Sequence, residues 1–188
     1  MSNSTLKITG GTLRSRTISY TKISKIKPTK SYIREVIFNT ININNEMRVL
    51  DLFCGSGILS LEAISRGVMS STMVDKDYLA CEHIKHEFDK LEVKNYILYN
   101  HDVINYIENN NKPRFDIIFL DAPYDTNLLE LSIELLSKKN YFDNNSYIYF
   151  EQHKKDYNQK LVSMISNTHN IVKDSNIGDV NYIIALKR

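Results

Sequence analysis

From residue 48 onward the chain alternates short apolar runs with longer stretches whose apolar residues recur at helical spacing. Arg48–Asp51 reads as a strand and Ile58–Ser65 as a helix. Thr72–Asp75 is a strand, and Tyr78–Leu91 is a helix with Leu79, Ile84, Phe88 and Leu91 available for one apolar face. Tyr96–Tyr99 is a strand, Val103–Glu108 a short helix and Phe115–Leu120 a buried strand. Leu128–Ser137 is a helix, Tyr147–Phe150 a strand, and Asn170–Lys173 with Asn181–Leu186 a closing strand pair around Gly178. Asn clusters (Asn42, Asn44, Asn45; Asn109–Asn111; Asn144, Asn145) fall between these segments, where turns belong. Ahead of them, Ile8-Thr9-Gly10-Gly11 and Leu13-Arg14-Ser15-Arg16 suggest a small hairpin. Ser31–Thr40, with Ile33, Val36, Ile37 and Thr40 suitably spaced, suggests an amphipathic helix. No internal repeat is visible.

Strands alternating with helices predict an α/β fold, a mostly parallel sheet with helices on both faces. Residues 1–46 read as an extension of hairpin plus helix beside a main domain of residues 47–188. In such sheets ligands bind outside the carboxyl ends of the strands. Those ends carry Asp51, Asp75, Asn100 with Asp102, Asp121 and Glu151. One or two acids there would be helix caps or turn formers. Five in register point to a ligand rich in hydrogen-bond donors.

Composition narrows the class. The 188 residues suffice for one sizeable core, and 42% hydrophobic with 24% charged residues is ordinary globular usage. No apolar run approaches the roughly 20 residues that cross a bilayer, and the polar start shows no secretory signal. Two cysteines, Cys54 and Cys81, are too few for a disulfide framework. The expectation is a cytoplasmic protein with no membrane partner. Net charge is only +2, but residues 1–34 hold eight of the 24 Lys and Arg residues and no Asp or Glu. Segregation of this kind suits contact with a polyanion through the basic part, or a solvated basic tail.

Val49-Leu50-Asp51-Leu52-Phe53-Cys54-Gly55-Ser56-Gly57 is an apolar strand entering a glycine turn and then a helix. Glycine permits positive φ and close approach of a ligand to the backbone. A dinucleotide fingerprint needs a third glycine where Ser60 stands, and Asp51 would repel a pyrophosphate. An acid there suits a cation such as the methionyl ammonium of S-adenosylmethionine. Asp75, roughly 20 residues on, is placed for ribose hydroxyls, and Asp102 for the adenine amine. The pattern resembles the class I S-adenosylmethionine-dependent methyltransferases over about residues 48–150. Cys54 reads as a small buried residue.

Phe115-Asp116-Ile117-Ile118-Phe119-Leu120-Asp121-Ala122-Pro123-Tyr124 resembles the (Asp/Asn)-Pro-Pro-(Tyr/Phe) motif of enzymes that methylate exocyclic base amines. Such an amine is a poor nucleophile because its lone pair is delocalised. Two acceptors on its N–H bonds, the Asp121 carboxylate and the Ala122 carbonyl, would pyramidalise the nitrogen. Tyr124 would stack on an extruded base. Ala122 replaces the first proline of the motif, but Pro123 still holds it extended.

The whole chain resembles the RsmD family, bacterial methyltransferases acting on N2 of one guanine in 16S small-subunit ribosomal RNA. The resemblance rests on Ile8-Thr9-Gly10-Gly11-x-x-Arg14-x-Arg16, Lys27-Pro28-Thr29 and Arg34-Glu35-x-x-Phe38-Asn39, then Asp51–Gly57, Asp121–Tyr124, Glu151 and Ile177-Gly178-Asp179. Lys27 stands for the usual Arg and Asp75 for Glu. The resemblance implies a Rossmann-like seven-stranded sheet, and S-adenosyl-L-methionine held by Thr29, Asp51, Phe53, Gly55, Gly57, Asp75 and Asp102. It implies a catalytic set of Asp121, Ala122, Pro123 and Tyr124. The RNA surface would carry Arg14, Arg16, Lys27, Lys30 and Arg34, and the partner would be the RNA or the small-subunit particle, met by a monomer without metal. His83 and His86 read as a solvated helix face, and Glu151 either as a contact to the guanine edge or as a cap or surface acid. The competing functions are a DNA adenine-N6 or cytosine-N4 methyltransferase, a non-catalytic RNA-binding assembly factor and, most remotely, a dehydrogenase. The absence of an obvious target-recognition domain argues against DNA.

Overall fold

The computed structural model describes residues 4–20, 28–110 and 114–188. Strands β3 (Arg48–Leu52), β4 (Ser70–Asp75), β5 (Tyr96–Asn100), β6 (Phe115–Leu120), β7 (Phe142–His153), β8 (His169–Ile177) and β9 (Val180–Lys187) form one sheet in the order β5-β4-β3-β6-β7-β9-β8. The first five pair in parallel, and β9 inserts antiparallel between β7 and β8. Strand order reverses between β3 and β6, so the loops after those two strands open onto a common crevice.

Six helices cover the sheet. One face buries α1 (Ser31–Thr40), α2 (Ile58–Ser65) and α3 (Tyr78–Lys90) through Ile33, Ile37, Leu61, Ile84 and Phe88. The other buries α4 (Val103–Asn109), α5 (Leu128–Lys138) and α6 (Gln159–Ser166) through Ile107, Ile133, Leu136, Leu161 and Ile165. Residues of β6 divide accordingly, with Ile117 and Phe119 on the first face and Ile118 and Leu120 on the second, as the strand period requires. The α/β class and the mostly parallel seven-stranded sheet match the expectation.

The amino-terminal strands β1 (Ser4–Lys7) and β2 (Thr17–Tyr20) pair antiparallel, and Ile8 and Ile18 join the core of the first face. Their docking explains the Gly10-Gly11 pair. Gly11 has φ +76°, and a β-carbon there would lie 1.9 Å from the Ser65 carbonyl oxygen. This approach lets Thr12 and Leu13 N–H bond the Ser65 carbonyl and hydroxyl at 2.7 and 2.9 Å. Ser19 completes the docking on α3, donating to Glu87 and meeting His83. His83 is thus a hairpin anchor, and the solvated-face reading holds for His86 alone.

Three local expectations differ. Leu79 is exposed, because the Asp77 carboxylate caps α3 and places Leu79 in its outward first turn, leaving Ala80, Cys81, Ile84 and Phe88 to pack. Helix α6 and the 3-10 turn Lys154–Asp156 were not anticipated. Strand β7 begins at Phe142, upstream of the expected Tyr147. Among the described residues no helix is long and apolar enough to cross a membrane.

Candidate active site

The loops at the carboxyl ends of β3, β4, β6 and β7 surround a cavity of about 770 Å³, inside the range of roughly 300–1,000 Å³ typical of small-molecule sites. Its wall brings together Thr29, Asp51, Phe53, Gly55, Asp75 and Asp102 with Asp121, Ala122, Pro123 and Tyr124. Residues seventy positions apart in the chain thus share one chamber because β3 and β6 are hydrogen-bonded neighbours.

Asp51 is buried and accepts a hydrogen bond from the Ser60 hydroxyl at 2.6 Å, and Ser60 in turn accepts one from Ser71 at 2.9 Å. Burial pushes the Asp51 carboxyl up to about 7, opposed by the Ser60 bond and reinforced by the neighbouring charge of Asp75. Ser60, which in sequence only argued against a dinucleotide site, has a positive role as the hydroxyl that orients this carboxylate. Asp75 accepts from the Gly55 N–H at 2.8 Å with one oxygen and from the Asp77 N–H at 2.9 Å with the other. It therefore pins the glycine turn while each oxygen keeps a lone pair for a further donor. Asp102 caps α4 through the Asn105 N–H at 3.1 Å. Phe53 takes φ +63°, a left-handed conformation costly for a bulky residue, as the chain leaves β3 and turns into the cleft.

Gly57 takes the positive φ that the glycine turn was expected to need. It is not part of the cavity wall; it has φ +71° and starts α2, and a β-carbon on it would press on Ile84 at 3.2 Å. A glycine here thus lets α2 pack closely on α3.

The Asp121–Tyr124 segment leaves the end of β6. Ala122 is buried, Pro123 exposed, and the half-buried Tyr124 donates its hydroxyl to Glu151 Oε2 at 2.9 Å. Tyr149 donates to the other oxygen of the same carboxylate. Burial, then the Glu151 charge, raises both phenols well above their ordinary value, so both remain donors. Glu151 is itself buried and is neither a helix cap nor a surface acid.

Of the expected RNA-facing residues, Arg14, Arg16 and Lys30 are exposed, and Lys27 lies outside the described residues. Arg34 is a correction. It is 1% exposed, donates to the Lys7 and Thr29 carbonyls at 2.7 and 3.3 Å and forms an ion pair with the Glu62 carboxylate at 3.2 Å. A helical spacing that puts Arg34 beside Ile33 and Ile37 turns it inward, where a basic charge count gives no warning. The loop bearing Arg14 and Arg16 docks on Ser65, at the carboxyl end of α2, whereas the cavity lies at the amino end. Eight residues of helix, about 12 Å, separate them.

Sequence reasoning passed over Asp77, His153 and Lys155, which also border the cavity. They follow the carboxyl ends of β4 and β7, so the strand-end rule that found the others covers them too. The charged residues of the wall are mostly acidic, and among the described residues no group of His, Cys, Asp and Glu is arranged to hold a metal ion.

Comparison with known proteins agrees with this architecture. The family model described as Conserved hypothetical protein 95 matches residues 6–185. The ribosomal RNA small subunit methyltransferase D of Buchnera aphidicola subsp. Acyrthosiphon pisum is 36% identical over 155 residues, 81% of each chain. The protein of the same name from Escherichia coli strain K12 is 29% identical over 147 residues, 78% of this chain and 74% of that one. Among solved structures, a candidate methylase of Haemophilus influenzae superposes with a TM-score of 0.81 at 26% identity, covering 98% of this chain and 99% of its own. A precorrin-6y C5,15-methyltransferase of Geobacter metallireducens shares the fold alone, with a TM-score of 0.70 at 16% identity over 88% of this chain and 92% of that one. With the model spanning Leu6 to Ala185, this chain belongs to the Conserved hypothetical protein 95 family, the RsmD family of methyltransferases.

Proposed function

We propose that the cleft binds S-adenosylmethionine and directs its methyl group to the exocyclic N2 amine of a guanine in small-subunit ribosomal RNA. The observation that carries this reading is the shared cavity wall, which joins the acidic set Asp51, Asp75 and Asp102 to the Asp121–Tyr124 segment. The cofactor carries an ammonium, ribose hydroxyls and an adenine amine, all donors or cations. An acidic wall with open lone pairs fits them, and Thr29 and Phe53 border the same space. When bound, S-adenosylmethionine supplies an electrophilic methyl group.

The chain's own residues do the rest. Asp51 pairs with the ammonium, Asp75 takes the ribose hydroxyls, and Asp102 takes the adenine amine. Asp121 and the Ala122 carbonyl accept the two N–H bonds of the guanine amine and turn its lone pair toward the methyl carbon. Tyr124 stacks on the extruded base, for which unstacking costs a few kcal/mol. Rate enhancement comes from this orientation and from fixed charge where the amine becomes cationic. Arg14, Arg16, Lys27 and Lys30 would supply phosphate contacts away from the reacting atoms. The substrate class is drawn from the relatives named ribosomal RNA small subunit methyltransferase D.

The test is labelled methyl transfer from S-adenosylmethionine to unmodified small subunits and to the naked RNA, followed by nucleoside analysis. N2-methylguanosine supports the reading. Methyladenine or methylcytosine, or cofactor binding without transfer, overturns it.

A further inference from the structure

Glu151 is the one acid of the strand-end series that stands behind the site rather than in it. It does not border the main cavity; it faces a side pocket of about 80 Å³ that Tyr124 also lines from the opposite flank. It lies on β7, one position beyond Phe150, which pairs with Leu120; Asp121 lies one position beyond Leu120. Parallel register therefore sets Glu151 beside Asp121 at the sheet edge of the cleft. Its carboxylate is 3% exposed and receives the hydroxyls of Tyr124 and Tyr149, one on each oxygen.

The two tyrosines differ in what holds them. Tyr149 is a sheet residue whose ring packs on Phe119, with centroids 6.1 Å apart, so its position is fixed without the hydroxyl. Tyr124 sits in a loop of no regular structure between Asp121 and α5, flanked by the exposed Pro123, Asp125 and Thr126. Its ring meets His153 at 5.9 Å, and its far end is tied to Glu151. A phenol side chain has two rotatable bonds: fixing its Cα and its hydroxyl oxygen fixes the long axis of the ring, and because a phenol O–H prefers the ring plane, its aim at Glu151, with the His153 ring alongside, sets the rotation about that axis.

We propose that Glu151 is a positioning residue that holds the Tyr124 ring at the angle at which a base stacks with its amine at Asp121. This rests on the base-amine reading of the cleft. Tyr149 serves as a second donor to the carboxylate and keeps it from swinging toward the cavity. An ionised carboxylate offers acceptors to two hydroxyls at once, whereas an amide of the same shape offers one. Glu151→Gln should therefore release one tyrosine with little change in volume.

The experiment compares wild type, Glu151→Gln, Tyr124→Phe and the double variant in methyl transfer to small subunits, with S-adenosylmethionine affinity measured by calorimetry. Each single variant should lower kcat about tenfold or more, as a misplaced platform does. KM for the subunit and cofactor affinity should stay within about twofold. The double variant should be no slower than the worse single one, because both changes cut the same tether. Multiplicative losses, or a slow Glu151→Gln beside a fully active Tyr124→Phe, would overturn the proposal and favour a direct contact of Glu151 with the base. Should Glu151→Gln fold poorly, Tyr124→Phe alone decides, and a wild-type kcat in it overturns the tether. Tyrosine labelled with carbon-13 at Cζ gives a readout independent of turnover. The Tyr124 resonance should move in Glu151→Gln, and an unmoved resonance overturns the proposal. Wild-type protein that transfers no methyl to RNA while this resonance responds would instead sink the functional reading and leave the tether standing.

Discussion

The Arg34 guanidinium lies 3.2 Å from the Glu62 carboxylate, and both side chains are shut away from solvent. Glu62 also receives the Thr9 N–H at 2.8 Å, the Thr9 hydroxyl at 3.0 Å and the Arg66 guanidinium. One carboxylate on α2 thus gathers the hairpin, α1 and the end of its own helix. Burial lowers the Arg34 pKa and Glu62 opposes that, so the pair is a mutual condition for burying either charge. Glu62→Ala should cost about 3–5 kcal/mol in urea unfolding, the magnitude of stranding a buried charge. A loss below 1 kcal/mol would show that the network is dispensable.

This pair also marks where sequence reading stopped. Periodicity locates α1 at Ser31–Thr40 with the bounds observed, because amphipathic spacing is a local property, and the all-buried α2 at Ile58–Ser65 is legible instead as the helix that follows the strand and glycine turn. Strand-end acids located the cavity wall because parallel sheets put carboxyl ends at one edge. The partner of Arg34, by contrast, is 28 residues away on another helix, and nothing local distinguishes an inward arginine from a phosphate-binding one. Gly57 carries a second constraint of the same non-local kind. Its constraint comes from Ile84 on α3, a contact no turn motif records. Helix α6 was missed because Gln159–Ser166 is short and holds only Leu161, Val162 and Ile165 as buried anchors.

Asp51 links the cofactor site to pH. With its carboxyl raised to about 7, about nine-tenths is protonated at pH 6 and about nine-tenths ionised at pH 8. A cationic amine selects the ionised form, so affinity for S-adenosylmethionine should fall roughly tenfold from pH 8 to pH 6, with proton release on binding. Calorimetry in two buffers of different ionisation heat measures both. Asp51→Asn should bind weakly with a flatter profile, and a wild-type profile in that variant would refute the assignment. The stability effect has the opposite slope. A folded pKa above the unfolded 3.8 favours folding below about pH 4, and that contribution is lost as pH rises through about 7.

Asp121→Ala should lower kcat by about 10²–10³-fold, the loss found when one fixed group facing developing charge is removed. Calorimetry should find S-adenosylmethionine affinity nearly unchanged if, as proposed, Asp121 serves the base amine rather than the cofactor. Loss of cofactor binding with the same kcat would reverse the assignment of the two walls.

Gly11→Ala tests how the hairpin is seated. The added carbon would meet the Ser65 carbonyl at 1.9 Å, and backbone on both sides prevents relief by rotation. The hairpin must lift, losing the bonds from Thr12 and Leu13 to Ser65 and from Ser65 to Gly10. A destabilisation of about 2–4 kcal/mol is expected. Gly67→Ala is the control. Gly67 has φ +96° but nothing within 4 Å of the added carbon, so backbone strain alone should cost about 1–2 kcal/mol. Equal losses in the two variants would mean that the close approach at Ser65 carries no weight.

Arg14 and Arg16 pose the sharpest question about how the hairpin and the cleft divide their work. Both are exposed on the loop docked at the carboxyl end of α2, a helix length from the cavity. If they neutralise two phosphates, replacing both by Glu should reduce the slope of log affinity against log salt by about 1.5–2. Their distance from Asp121 adds a second condition. KM for the RNA substrate should rise, by tenfold or more at about 0.1 M salt, while kcat at saturating substrate holds within about twofold. A fall in kcat with KM unchanged would mean that the loop shapes the reacting geometry, and an unaltered salt slope would remove these residues from the RNA surface. Since the loop touches α2 through Ser65 and Glu62 rather than through the cavity wall, uniform loss of binding is the outcome its placement requires.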